Sequence, residues 1–221
     1  RSSDLSRSGA YNISFLTIAT AFKGSDDDNN SPVFEDFERN RLEILSRFRE
    51  INPEYDTNSQ DILIPAFIAA YSGKDASDIS LSPFPKTPIP NWRIDFAGLG
   101  KIPALQEKFQ SVSITHAYQS SYSVTNYNSN LEYENGLELT NGLDEYNTSV
   151  FASDPNNDGN LIPIYNISQV MISEQFSPLI GISVRTKSRL TAKVEYKTKR
   201  DIALNINNAQ VTEVNSNDVV L

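Results

Sequence analysis

Three things are missing from this sequence, and each absence closes off a class of protein. Cysteine does not occur in the 221 residues, which excludes disulfide scaffolds, thiolate metal sites and a cysteine nucleophile. Histidine occurs once, at His116, so paired metal-ligating histidines cannot be built, and His116 has no Ser or Cys at a telling spacing for a nucleophilic relay. Long apolar runs are also missing. The longest, around Ile62–Tyr71, falls far short of the roughly 20 residues that a membrane-spanning helix needs. There is no Gly-rich phosphate loop and no nucleophile elbow. Positive charge is in deficit, 19 Lys and Arg against 28 Asp and Glu for a net of -9, which argues against nucleic acid as a partner.

None of these absences excludes a membrane strand. A barrel strand needs only about 9–11 residues and alternates apolar with polar, so its average looks like that of a water-soluble chain. A mean hydropathy of -0.40 is compatible with that. Nothing resembling a signal peptide stands at Arg1, and Asp218–Leu221 reads as the middle of a strand, so the expectation is a piece of something longer.

Five stretches follow along the chain. Residues 1–30 hold a strand, Ala10–Phe22, rich in β-branched and aromatic residues without Pro or Gly, and then the polar loop 24–30. Residues 31–81 read as a helical insert. Ser31-Pro32 is a start signal, and Phe34, Phe37, Arg41, Ile44, Leu45 and Phe48 recur at helical spacing. Asn52-Pro53 ends that helix, and Asp61–Tyr71 is a second one with Gly73 as its stop. Residues 82–126 begin with a Pro-rich connector that forbids both helix and ladder. Strand Trp92–Phe96, a short amphipathic helix over Ile102–Phe109 and a long strand follow. Residues 127–163 form a long polar loop. Residues 164–221 carry hairpins, with turns expected at Thr186–Arg189 and at Lys199–Asp201.

The long strand is the most informative segment. Val112, Ile114, His116, Tyr118, Ser120, Tyr122 and Val124 fall on one face; Ser113, Thr115, Ala117, Gln119, Ser121 and Ser123 fall on the other. Soluble sandwich strands alternate too, but this length, with aromatics on one side and small hydroxyls on the other, suits a strand between lipid and a wet lumen. Connection lengths agree if Ala10–Phe22 rises, Trp92–Phe96 descends and the long strand rises again. The helical insert and the 127–163 loop then lie outside, and the short helix lies on the periplasmic side.

Two constellations are candidate sites. Asp154, Asn156 and Asp158, with Gly159 behind them, match the first half of a calcium loop, although Tyr165 stands where a bidentate Glu is expected and no helix flanks it. The ordinary alternative is an Asx-Gly turn. Arg185, Lys187, Arg189, Lys193, Lys197 and Lys199 make a basic stripe opposite Val184, Leu190, Ala192, Val194 and Tyr196. It reads either as a solvated sheet face or as a lumen-facing stripe that attracts acidic cargo. Glu132, Glu134 and Glu138 read as solubility in an Asn-rich loop, and no enzyme case emerges.

Several strings resemble a known family. They are Asn58–Phe67 with Ala70–Asp75, Pro83–Pro85 through Pro90–Arg93, Ile172–Gly181, and the tail Leu190–Asn215. They are similar to the C-terminal part of SprA/Sov, the outer-membrane translocon of the type IX secretion system of gliding Bacteroidetes. The resemblance implies a fold that is mostly β, a section of a very large antiparallel transmembrane β-barrel with a small helical loop insert. It implies a channel exporting folded proteins, with no catalytic residues. It also implies partners: a PorV-type shuttle barrel, a periplasmic plug protein, secreted cargo proteins and membrane lipid. Two other readings stand beside it: a soluble surface-exposed β-rich binding or adhesion module, stabilised by calcium in one version, and a nutrient-uptake barrel.

Overall fold

The structure, a computed structural model, describes residues 7–23, 31–50, 53, 55–131 and 163–221. It is mostly β. Six strands form one antiparallel sheet: β1 Ser8–Ser14, β2 Trp92–Phe96, β3 Phe109–Ser129, β4 Tyr165–Thr186, β5 Thr191–Asn205 and β6 Gln210–Val220. The spatial order is β1-β3-β4-β5-β6, with β2 also on β3. β3 and β4 have 21 and 22 residues, about 70 Å of strand each. Among the described residues, no helix is long and apolar enough to cross a membrane.

β1 and β2 share one edge of β3. β1 runs from Ser8 opposite Asn128 to Ser14 opposite Ser121, and β2 runs from Trp92 opposite Tyr118 to Phe96 opposite Ile114. Both therefore run the same way, end to end. This corrects the expected topology, in which the first strand rises and Trp92–Phe96 descends: β2 resumes the direction of β1. The expected strand to Phe22 also stops early. After Phe15 the chain leaves the sheet, because Thr17 and Thr20 turn their hydroxyls into a buried hydrogen-bonded cluster that an extended strand cannot reach.

The excursion from β1 to β2 carries two helices, α1 Pro32–Arg49 and α2 Gln60–Ser72. Ser31 caps α1, its hydroxyl accepting from the Phe34 N–H, with Pro32 in the first turn. Val33, Phe37, Ile44, Leu45 and Phe48 form its buried stripe. Arg41 lies over the Phe37 ring and reaches Asn58 at 2.6 Å. α2 is buried from Ile62 to Ser72, because it lies between α1 and the sheet. It ends where Gly73, at φ 67°, returns its N–H to the Ala69 and Ala70 carbonyls. One core joins these helices to Tyr122, Val124, Ile167, Val170, Ile172, Ile202 and Leu204 on the sheet. The Gln60 amide ties the start of α2 to β4, donating to Tyr165 O at 2.7 Å and accepting from Ile167 N. The Pro-rich connector runs extended, as expected, and its Pro83 carbonyl accepts from the Tyr122 hydroxyl at 2.9 Å.

Between β2 and β3 lie a short 3-10 turn, Gly98–Lys101, and the one-turn helix α3, Pro103–Gln106. The remaining strands are longer than the sequence suggested. β3 continues to Ser129, past the expected start of the polar loop; residues 132–162 of that loop lie outside the described residues. β4 is one strand across Ser177-Pro178, which sits in a bulge where Phe176 faces Thr198 and Ile180 faces Tyr196. β5 runs unbroken through the expected turn at Lys199–Asp201, since Arg200 and Asp201 point to opposite faces and each finds a partner there. The turn at Thr186–Arg189 is present, with Arg189 at φ 69°.

Asp61 gives the insert a pH signature. Burial at the start of α2 pushes its carboxyl above the ordinary carboxylate range, and the Tyr55 hydroxyl at 2.8 Å offsets part of that. A raised carboxyl pKa makes the folded state bind the proton more tightly than the unfolded chain, so this contribution is largest at low pH and declines as pH rises through the shifted value. Asp61→Asn is expected to flatten the fall in thermal stability across that window. Identical pH slopes for the two proteins contradict the assignment.

Candidate functional site: one sheet face in two halves

Residues directly opposite in an antiparallel ladder point to the same face, so the registers define the faces row by row. One row reads Tyr11, Val124, Val170, Leu204 and Val211; the next reads Ile13, Tyr122, Ile172, Ile202 and Glu213. This half lies under α1 and α2, and its central positions are buried.

Further along the same face the chemistry changes twice. The first change is a polar row, Ser120, Glu174, Arg200 and Asn215. Glu174 and Arg200 pair at 2.9 Å with side chains 3% and 7% exposed. Arg200 also donates to the Thr20 carbonyl at 2.9 Å and to the Thr20 hydroxyl at 3.1 Å. Glu174 accepts from the Tyr118 hydroxyl at 2.9 Å and from Thr17 Oγ1. Thr20 Oγ1 donates in turn to the Tyr71 carbonyl at 2.8 Å. The cluster thus bolts the insert to the sheet. The next row is aromatic on β2, β3 and β4 and continues as Thr198 and Asn217 on β5 and β6. Trp92 stacks on Tyr118 with centroids 4.4 Å apart, Tyr118 packs on Phe176 at 4.9 Å, and Phe22 reaches over from the insert to Phe176 at 5.3 Å.

Beyond the aromatic row the face is largely bare among the described residues, with Val112, near the 3-10 turn, a buried exception. Ile94 and Phe96 on β2 are 57% and 53% exposed, and Ile180, Ile182, Val194, Tyr196 and Val219 are likewise bare. The Val184 and Phe176 rows are six steps apart along β5, from Ala192 to Thr198, roughly 20 Å of strand at about 3.3 Å per residue, the extra residues of β4 being taken up in its bulge. At the far end of the band lie the turn 186–190 and the connection through α3, both short; the covered half lies toward the long 130–164 connection.

The opposite face is mostly polar, with Met171, Ala203, Val214 and Val220 among its apolar positions. Arg93 pairs with Asp95, which also accepts from Thr115, and Ser113, Gln119, Ser121 and Ser123 continue it on β3. The expected basic stripe divides here. Lys193 and Lys197 both pair with Glu195, at 2.6 and 3.2 Å, and Lys199 pairs with Asp201 at 2.6 Å. Arg185 lies on this face opposite Thr191, whereas Lys187 and Arg189 sit in the turn after β4. Arg185, Lys187, Arg189, Lys193, Lys197 and Lys199 are therefore not one unopposed cationic surface, because acids alternate with the lysines along β5.

His116 donates from Nδ1 to the Leu179 carbonyl at 2.7 Å and packs on Phe176 at the bulge, a structural position. Gly181 is needed beside it: an added Cβ meets Pro178 Cγ at 2.9 Å. The calcium candidates Asp154, Asn156 and Asp158 lie outside the described residues, as do Glu132, Glu134 and Glu138. Among the described residues no group of three acidic or histidine side chains is placed to hold a metal ion. Sequence reasoning missed Glu174 and Arg200, although both sit in the apolar register of their strands, the one between Ile172 and Phe176, the other two residues before Ile202. It also placed the whole Val112–Val124 face against lipid, but Tyr122 and Val124 are buried under the insert. Against known proteins, no family model matches the chain, and no curated protein matches it either.

Removing one member of a buried ion pair strands the other, a loss of about 3–5 kcal/mol, whereas replacing both with apolar residues costs far less. Arg200→Met is expected to destabilise the protein by that order, and Arg200→Met with Glu174→Met to recover most of the loss. Urea unfolding followed through Trp92, the single tryptophan, reads the difference. A double variant as unstable as the single one contradicts the pairing.

Proposed function

We propose that this chain is a section of the wall of a large outer-membrane β-barrel that conducts folded proteins to the cell surface, as its resemblance to the SprA/Sov translocons implies. One observation carries the reading: a bare apolar band, bounded by an aromatic row, lies on one face of the sheet, with a polar face behind it. Barrel walls present such a band, about 25 Å tall and flanked by aromatic girdles, to lipid, and turn polar side chains inward. The lower half of β3, β4 and β5, with β2, is the lipid-facing part; the rows from Ser120 onward rise above the bilayer. The turn 186–190 and the connection through α3 then fall on the periplasmic side and the long 130–164 connection on the outer side, in keeping with barrel practice, while the tight turn 206–209 between β5 and β6 is a short connection on the outer side.

The polar face lines the bore. Its charges alternate in sign along β5, which keeps an aqueous surface wet without strong attraction for cargo of either sign. A barrel of many strands encloses water rather than side chains, so a bulky folded cargo has room. A PorV-type shuttle barrel, a periplasmic plug protein and secreted cargo are the partners of this reading. The competing one, a soluble surface-exposed binding module, draws support from the dry core between α2 and the sheet, which is that of an ordinary layered domain.

The two readings differ in what charge does on the band. A cationic residue at mid-bilayer on a barrel's lipid face costs about 2–4 kcal/mol, whereas a lumen position tolerates it. Ile182→Arg is therefore expected to impair folding into lipid vesicles, and Ser183→Arg, one residue along on the other face, to fold as the unaltered chain does. The shift from unfolded to folded species on unheated gels measures this. Equal tolerance of both substitutions, together with a folded chain in detergent-free buffer, contradicts the barrel reading and supports the soluble module.

A further inference from the structure

We propose that the described residues between Leu16 and Pro90 form a collar on the outside of the wall, seated on the lipid headgroups, rather than a plug in the bore. The inference rests on the barrel reading above and adds to it the side and the level at which the insert sits.

The register gives the first argument. Ser14 faces Ser121 and Trp92 faces Tyr118, which leaves Ser120 and Gln119 of β3 between them. Phe15 donates its N–H to the Ser120 carbonyl at 3.0 Å, and the Asn91 side chain accepts from the Ser120 N–H at 2.9 Å. Phe15 and Asn91 thus fill the two vacant positions, and the inward–outward alternation passes unbroken from Ile13 and Phe15 to Trp92. β1 and β2 are a single strand opened at one bond, with the insert spliced in. The branch point is part-way up the wall, not at its rim.

The second argument is the level. The splice adjoins the row of Trp92, Tyr118 and Phe176, the aromatic boundary above which the face stops being bare. Aromatic side chains mark the headgroup layer of a membrane protein, so the chain leaves the wall where the wall leaves the lipid.

The third argument is the side. Ile172 and Ile202 under the helices and Ile182 and Val194 in the bare band belong to one face of the same two strands. If the band meets acyl chains, the helices stand outside the barrel above it, and the polar face remains open to the bore. The underside of the insert suits a headgroup layer. Phe22 is 66% exposed and rests on Phe176, Lys23 follows it with Asp36 of α1 at 3.8 Å from its ammonium, and a cleft of about 350 Å³ opens there between the insert and Tyr196. An aromatic ring beside a lysine is the usual interfacial combination.

Depth-dependent quenching tests this on the full chain, reconstituted in phosphatidylcholine vesicles with spin labels on either the headgroup or the middle of the acyl chain. Bimane is attached to single-cysteine variants Phe22→Cys, Lys23→Cys, Ile182→Cys, Ser183→Cys and Leu42→Cys. The collar predicts that the Ile182 probe is quenched by the mid-chain label and that the Phe22 and Lys23 probes are quenched at least about twofold more by the headgroup label than by the mid-chain one. The Ser183 and Leu42 probes should respond to aqueous iodide and to neither lipid label. If the Ile182 probe behaves so but the Phe22 and Lys23 probes respond to iodide alone, the collar is wrong and the barrel reading stands. If the Ser183 probe is the one quenched at mid-chain, the assignment of faces falls and the collar with it.

Discussion

The buried pair Arg200–Glu174 fixes the rest of this structure. Two charges in the middle of an apolar sheet face are tolerable only when water is excluded and their donors and acceptors are largely partnered. Thr17, Thr20 and Tyr118 supply partners for the carboxylate and for the terminal guanidinium nitrogens, leaving Arg200 Nε without one, and two of the three come from the first turn of the insert. The ion pair therefore dictates where the insert must sit. It also divides the face. On one side the helices extend the dry core over Tyr122, Ile172 and Ile202; on the other the aromatic row closes the polar cluster off, and the face continues largely without cover.

That division makes sense of strands of this length. About 70 Å of extended chain is far more than a hydrocarbon layer of outer-membrane thickness requires. On the proposed barrel reading, a wall that projects beyond the bilayer has an outer face that is no longer solvated by lipid, and apolar residues such as Val124, Val170 and Leu204 would meet water there. Covering them with a helical layer satisfies the same alternation that would serve the lipid below. The polar face needs no such cover: its lysines alternate with Glu195 and Asp201, and the ammonium groups at the surface keep it hydrated while the lysine stems shield Glu195.

Local signals in the sequence were read well where chain geometry depends on neighbours in sequence. Ser31-Pro32 and Gly73 mark helix ends because capping is satisfied within a few residues, and the alternation from Val112 to Val124 follows from the pleat alone. The failures came where a distant partner decided the outcome. Phe15–Phe22 has the composition of a strand, yet Thr17 bonds to Tyr118, 101 residues away. Lys199–Asp201 was expected to be a turn, but its three charges serve opposite faces of one strand. The connection-length argument failed for a topological reason: it assumed that every long connection reverses direction, and here β2 resumes the line of β1. Of the candidate sites, the lysines were legible as one face of β5, but not their pairing with acids on the same strand. The more consequential residues, Glu174 and Arg200, carried a signal in their register that was passed over.

The assignment of lipid to one face is the claim on which the account turns, and the absence of native cysteine makes it measurable. Single cysteines placed at successive positions of β5, from Thr191 to Asn205, are treated in intact membranes with an impermeant and then a lipid-permeant maleimide. The account predicts that Lys193, Lys197 and Ala203 positions react with the impermeant reagent, that the Val194 position reacts only with the permeant one, and that the Ile202 position, under the helices, reacts with neither. Reaction of the Val194 position with the impermeant reagent as readily as the Lys193 position would contradict it.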